Sequence, residues 1–338
     1  MESRRQFISK IASISLCITT QPWTQLLQDR QGNIYTVGGT IKPRQLGFCL
    51  THEHVMSNFG GEMALDPGYD QQKLVAQVLP YLKKIKSLGA DTIVDCTTAY
   101  FGRDVKILQA LAAQSGVQIM TNTGYYGAAN DRYVPEHAYD EDAETIANRW
   151  LGEWKNGIQD TGIYPGFIKV AVDGGSISDI DARLFRAAAK THRQSGLTIA
   201  CHTGNNPEAA QQELEILQEE GVSPAAWIWT HANKCEAAAP LFQAAKAGGW
   251  VSLDGVRENS IDHHLALLKD LKKAGYLEQV LLSHDGNSFP RGGAIRPYDA
   301  IFTSLIPRLQ QEGFSQKEIR QLTEVNPRKA FTVNIRTA

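Results

Sequence analysis

The chain has 338 residues, 42% hydrophobic and 21% charged, with 34 Lys and Arg against 36 Asp and Glu for a formal net charge of -2. That length supports one large α/β domain with a substantial core, and the composition is that of an ordinary folded protein. The near-neutral balance and the lack of a long basic run argue against a nucleic-acid partner, and outside the amino-terminal stretch no apolar run is long enough to span a bilayer.

Residues 1–27 read as a targeting segment. Ser3-Arg4-Arg5-Gln6-Phe7-Ile8 resembles a twin-arginine export motif, and the apolar run from Ile11 to Ile18 follows it. The expectation is an exported, periplasmic protein, or a cytoplasmic one if the segment is not used. Leu16 is a poor lipobox residue before Cys17, and no Ala-x-Ala cleavage site stands out. The five cysteines, Cys17, Cys49, Cys96, Cys201 and Cys235, form no Cys-x-x-Cys pair, so a structural zinc site of that kind is unsupported.

Residues 28–338 then carry a regular pattern. Ile34 to Val37 and Leu46 to Leu50 read as a short hairpin turning at Gly38-Gly39 and feeding a first strand. Further strands are predicted at 91–96, 117–120, 166–170, 197–201, 226–229, 250–253 and 280–282. Helices are predicted at 73–88, 105–115, 143–156, 182–195, 207–220, 236–247, 264–274, 301–312 and 316–323, several of them stopped by glycine. Strict alternation of this kind predicts a closed parallel (β/α)8 barrel, the TIM barrel, with a short N-terminal β-hairpin. An open doubly wound sheet is the alternative, but no Gly-x-Gly-x-x-Gly follows a strand.

The barrel matters because it gathers strand ends at one face. Leu50-Thr51-His52-Glu53-His54 ends the first strand, and alternation turns His52 and His54 the same way. Lys169, His202, His231 and Asp285 each sit at the end of a later apolar run. A lysine within Phe167-Ile168-Lys169-Val170-Ala171 would bury a charge, which is costly unless it is neutralised. Carboxylation is one chemical escape: a carbamate on Lys169 offers two oxygens to two metal ions. The parts then fit a site with two divalent ions, zinc first, with manganese, cobalt or iron as alternatives. His52, His54 and Asp285 would hold one ion and His202 and His231 the other, with the N6-carboxylated Lys169 and a hydroxide between them. Asp285 would also serve as proton acceptor.

The motifs Gly47-Phe48-Cys49-Leu50-Thr51-His52-Glu53-His54, Gly166-Phe167-Ile168-Lys169, Cys201-His202-Thr203-Gly204, Thr230-His231-Ala232-Asn233 and Ser283-His284-Asp285 resemble those of the phosphotriesterase family of the amidohydrolase superfamily. The likeness extends over about residues 33–333, to a tail at Glu324-Val325-Asn326-Pro327. It implies a metal-dependent hydrolase of a small ester, a lactone or other carboxylic ester, with phosphotriester cleavage as a side activity. A metal-dependent amidase or lyase, or a barrel that only binds its ligand, is the alternative.

Substrate contacts are expected from the loops. Tyr125 or Tyr126 matches the place where lactonase members carry a tyrosine over the metals. Arg257, Arg291 and Arg296 are candidates for a polar substrate, or plain solvated arginines. Gly255 stands where homoserine-lactone hydrolases carry an arginine, which counts against that class. His263 and His264 follow the seventh strand and are candidates to approach substrate, whereas His284 should face the barrel wall. A homodimer is a possible assembly.

Overall fold

The computed structural model describes residues 29–235 and 237–338. The chain divides into Met1–Arg30 and Gln31–Ala338. The expected targeting segment, residues 1–27 with Cys17, lies outside the described residues. Among those described, no helix is long and apolar enough to cross a membrane.

Gln31–Ala338 folds as a TIM barrel behind an antiparallel hairpin, β1 (Ile34–Thr36) and β2 (Gly39–Ile41). The barrel strands are β3 (Cys49–His54), β4 (Thr92–Asp95), β5 (Gln118–Met120), β6 (Asn122–Thr123), β7 (Phe167–Ala171), β8 (Ile199–His202), β9 (Trp227–Thr230), β10 (Trp250–Leu253), β11 (Val280–Leu282) and β12 (Gly286–Asn287). They form parallel runs ordered β12-β3-β4-β5 and β6-β7-β8-β9-β10-β11. β5 and β6 are halves of one strand, as are β11 and β12, so the ten segments make eight strands and the ring closes.

The hairpin is real, but its second arm is Gly39–Ile41 rather than Leu46 to Leu50. Thr36 pairs with Gly39 across a two-residue turn, and the Thr36 hydroxyl donates to the Gly39 carbonyl at 2.9 Å. So tight a turn leaves no room for the next apolar run to pair. Leu46 instead closes a turn of 3₁₀ helix, Pro43–Leu46, and packs with Ile34 against the barrel interior.

That interior is filled by Cys49, Val94, Met120, Phe167, Ala200, Ile228 and Leu281, with Phe331 of the last helix closing the base. Cys49 faces inward, and so do His52 and His54, although an odd and an even position should face opposite ways. The register shift between Leu50 and Glu53 against β4 resolves this. One irregularity re-aims the strand end so that apolar packing passes into imidazoles on the same inner face.

A helix cap and a buried histidine also bear on stability. Asp104 accepts from the Lys106 and Ile107 amides at 3.0 Å to start Val105–Ser115. At the end of Asp179–Ser195, the fully buried His192 ties the helix to the C-terminal segment. Its Nδ1 donates to the Leu197 carbonyl at 2.8 Å and its Nε2 accepts from the Arg336 amide at 3.0 Å, so it is bound as the neutral ring. Burial pushes its pKa down to about 4, with the Arg336 charge adding. A folded pKa below the unfolded value of about 6.5 means stability is fully present above that value and is lost as pH falls towards 4. The loss is on the order of 3 kcal/mol. His192→Gln should be less stable at pH 7 yet show a shallower decline across that window. Denaturant unfolding at several pH values reads this directly, and an unchanged slope would remove His192 from acid sensitivity.

Candidate metal centre

The four histidines, the lysine and the aspartate named from strand ends converge at the carboxyl-end mouth of the barrel. His52 and His231 have ring centroids 4.8 Å apart, and His202 and His231 4.4 Å. Asp285 Oδ1 lies 3.6 Å from His54 Nε2 and 3.9 Å from His52 Nε2, so these three atoms can surround one ion. Lys169 is fully buried on β7. Its Nζ has one hydrogen bond, 3.4 Å to Thr230 Oγ1, whose own proton goes to the Cys201 carbonyl. No carboxylate pairs with Lys169 among the described residues.

The protonation of these groups follows from their partners. His54 Nδ1 lies 2.8 Å from Thr97 Oγ1, and that hydroxyl donates to the Met56 carbonyl at 2.7 Å. Thr97 therefore accepts the Nδ1 proton, which leaves His54 Nε2 as a free lone pair facing Asp285. Asp254 does the same for two rings at once. Its Oδ2 takes His52 Nδ1 at 2.8 Å, and its Oδ1 pairs with His231 Nδ1. The His231 amide and the Ser252 hydroxyl also reach Oδ2, at 3.0 and 3.1 Å. Burial would raise the Asp254 carboxyl, but His231 and His52 hold it well below the usual carboxylate range. Burial also lowers the basicity of His52, His54 and His202, with the Lys169 charge contributing in each case. Neutral imidazoles with the second ring nitrogen tied down are ready donors.

The backbone at the site is held off its ordinary conformations. His231 and Asp285 take φ of 61° and 50°, a region non-glycine residues seldom occupy. Glu53, fully buried, fixes the second of these turns. Its Oε1 accepts from the Ser283 hydroxyl at 2.8 Å, the His284 amide at 3.1 Å and His284 Nδ1 at 2.8 Å, while Oε2 accepts from the Gly286 amide at 2.6 Å. His284 thus faces the wall, and its Nε2 accepts from the Ile301 amide at 3.0 Å. Asp285 stands between clasped neighbours, pointing the other way.

An open cleft lies over these groups, walled by Phe59, Phe101, Tyr126, Lys234, Asn287 and Arg296. Tyr126 stacks on Phe101 at 4.7 Å, and its hydroxyl lies 3.3 Å from His202 Nδ1. Burial, with the Asp285 charge adding, raises its pKa, so it stays a protonated donor. Arg296 donates to the Asp285 carbonyl at 2.6 Å and to its Oδ1 at 3.3 Å.

Tyr125, Arg257 and Arg291 lie outside the cleft wall. Tyr125 turns to His137, 3.1 Å from its hydroxyl, and Arg291 stacks on Tyr69 at 4.4 Å. His263 bonds the Asn233 carbonyl at 2.7 Å and His264 the Ser260 carbonyl at 2.8 Å. Asp254, Thr97, Phe101 and Lys234 belong to the site without having been singled out. Asp254 carried the same signal as the others, a polar residue ending an apolar strand.

The donor set fits divalent metal: unprotonated ring nitrogens, a carboxylate and an amine with no counterion, gathered out of water. Asp254→Asn keeps the shape but offers one acceptor where two rings need one each. Metal affinity should fall about 10–100-fold, the usual effect of removing such a partner. Chelator competition on the folded variant measures it, and unchanged affinity would mean that Asp254 does not set the ring tautomers.

Comparison with known proteins agrees with this geometry. A sequence model of the phosphotriesterase family matches residues 32–331. A phosphotriesterase homology protein of Escherichia coli K12 is 27% identical over 292 residues, 84% of this chain and 98% of that one. An aryldialkylphosphatase of Saccharolobus solfataricus is 25% identical over 308 residues, 87% and 97% of the two chains. An N-acetyltaurine hydrolase of Xenopus tropicalis is 25% identical over 348 residues, 89% and 98%. A mutant organophosphorus hydrolase from Deinococcus radiodurans superposes with a TM-score of 0.80 at 28% identity, over 88% and 97% of the chains.

Proposed function

The chain belongs to the phosphotriesterase family, hydrolases with a binuclear metal centre, and from that premise we propose that it uses two divalent ions to cleave a carboxylic ester, a lactone first. The observation that carries the reading is the convergence of Asp285 Oδ1 with His52 and His54 Nε2 beside the uncompensated amine of Lys169. His52, His54 and Asp285 would hold one ion, and His202 and His231 the other. Lys169, carboxylated on its amine, would lie between them, since a carbamate replaces a buried unpaired cation with an anion facing two cations. Zinc suits the imidazole set, with manganese, cobalt or iron as alternatives. When bound, the ions lower the pKa of a shared water and polarise the scissile carbonyl.

The chain's own residues do the rest. Asp285 accepts the proton of the attacking water and returns it to the leaving alkoxide. Arg296, bonded to both its backbone and its carboxylate, holds it in place. Tyr126 keeps its proton and can donate to the carbonyl oxygen as charge develops there. Phosphotriester cleavage would be a side activity of the same parts.

One observation favours amide cleavage as a second reading. Lys234 is exposed on the cleft wall with no ion pair among the described residues. It suits a substrate ending in an anion, as the acyl-taurine of the N-acetyltaurine hydrolases does. A panel of lactones, aryl esters, dialkyl aryl phosphates and acyl-taurines on metal-reconstituted protein separates the readings. A carboxylic ester or lactone should give the highest kcat/KM, and leading turnover of an acyl-taurine that drops in Lys234→Ala would install the amide reading instead. On the best substrate, Asp285→Asn should cut turnover about 10²–10⁴-fold while keeping most of the metal. Lys169→Ala should lose metal, and Lys169→Glu should retain more than Ala. Two metals and near-normal turnover in Asp285→Asn would remove it as the proton shuttle.

A further inference from the structure

On the far side of the loop that carries Tyr126, three carboxylates meet away from the cleft. They are Asp131 in that loop, Asp173 just beyond β7 and Asp181 in the first turn of Asp179–Ser195. One oxygen from each lies within 4.8 Å of the others. Asp181 is 1% exposed. Its Oδ2 receives the Asp173 amide at a long 3.4 Å, and its Oδ1 is buried with no hydrogen-bond partner. Asp131 Oδ1 is likewise buried and unpartnered. The remaining contacts are local: the Asn130 amide reaches Asp173 Oδ2 at 2.9 Å, Tyr139 reaches Asp131, and Ser178 reaches Asp181. No Lys, Arg or His forms an ion pair with any of the three among the described residues.

A buried carboxylate oxygen left without donor or cation is costly, and here two of them stand beside a third acid. Gly127 packs directly against Asp181. A Cβ there would overlap Asp181 Oδ1 and crowd the Ala171 carbonyl, so any other residue would fill this space. Burial, with the Asp173 charge adding, raises the pKa of Asp131, and burial with the charges of Asp131 and Asp173 pushes Asp181 up to about 6.

We propose that Asp131, Asp173 and Asp181 form a second, structural cation site that takes calcium. The donors are all oxygen, with no imidazole or thiolate, so the site selects a hard cation and not the ions suited to the cleft. Calcium tolerates irregular oxygen shells completed by water, which suits three carboxylates at a surface loop. Its role is to fasten the wall of the cleft. Asp131 lies five residues after Tyr126, and Tyr126 and Tyr133 pack with Phe101 and Ala171 in one cluster. A cation joining Asp131 to the end of β7 would pin that loop from behind. This inference does not depend on which bond the cleft hydrolyses.

The test titrates calcium chloride into protein already loaded with transition metal, following equilibrium dialysis with radiolabelled calcium and the thermal midpoint. One calcium per chain should bind, with a dissociation constant of about 10⁻³ M or tighter, and the midpoint should rise as it does. Asp131→Asn and Asp173→Asn lie at partly exposed positions and should fold. Each should weaken calcium binding at least tenfold, with transition-metal content unchanged. Absence of saturable binding, or binding that survives in the Asp131→Asn/Asp173→Asn double variant, would overturn the site.

Discussion

Drawing several imidazoles and an amine out of water together is the constraint that the rest of this molecule answers. Burying a polar group without a partner costs free energy, and the barrel meets that cost one nitrogen at a time. Asp254 takes one ring proton from each of two histidines, and Thr97 takes one from a third. Burial holds His52, His54 and His202 less basic than usual, so they can crowd together without repelling. Lys169 alone is left with a single long hydrogen bond. The shortfall sits on the one side chain whose amine can be converted chemically into an anion.

The backbone was shaped to the same end. A register shift in β3 changes which residues face inward midway along the strand. Glu53, turned outward by that shift, then holds Ser283, His284 and Gly286, so one bulge both aims two histidines and positions the aspartate opposite. Two residues that would be unremarked in a strand end, Glu53 and Ser283, thereby set the conformation of Asp285. Its positive φ is sustained by bonds on either side of it.

Much of this was legible in the sequence, because a parallel barrel puts the carboxyl ends of all strands at one rim. Apolar runs ending in His52, His202 or His231 announce both fold and site. Asp254 ends a run in the same way, but it stands beside Gly255, where the absent arginine is the more conspicuous feature of the sequence. Thr97 could not be read at all. Its role depends on a carbonyl at Met56 that only the folded chain brings near. The hairpin misled for another reason: Leu46 to Leu50 is the more hydrophobic run, yet turn geometry chose the exposed Gly39–Ile41. Nothing in a sequence says which way a surface arginine turns, and Arg291 stacks on Tyr69 outside the cleft wall.

The loop after β6 links the two polar centres. Its backbone presses on β7 at two glycines. A Cβ on Gly124, at φ 123°, would overlap the Lys169 carbonyl, and one on Gly127 would crowd that of Ala171. Between and beyond them the loop sends Tyr126 into the cleft and Asp131 to the acidic cluster. Side chains that stiffen the loop therefore act on Tyr126 through a backbone already in contact with the strand that carries Lys169. The donor chemistry keeps the two ends separate. Nitrogen-rich ligands favour borderline ions and carboxylates alone favour hard ones, so a cation fastening the loop need not compete with the ions of the cleft. Precision in placing the Tyr126 hydroxyl then rests on contacts that no substrate touches.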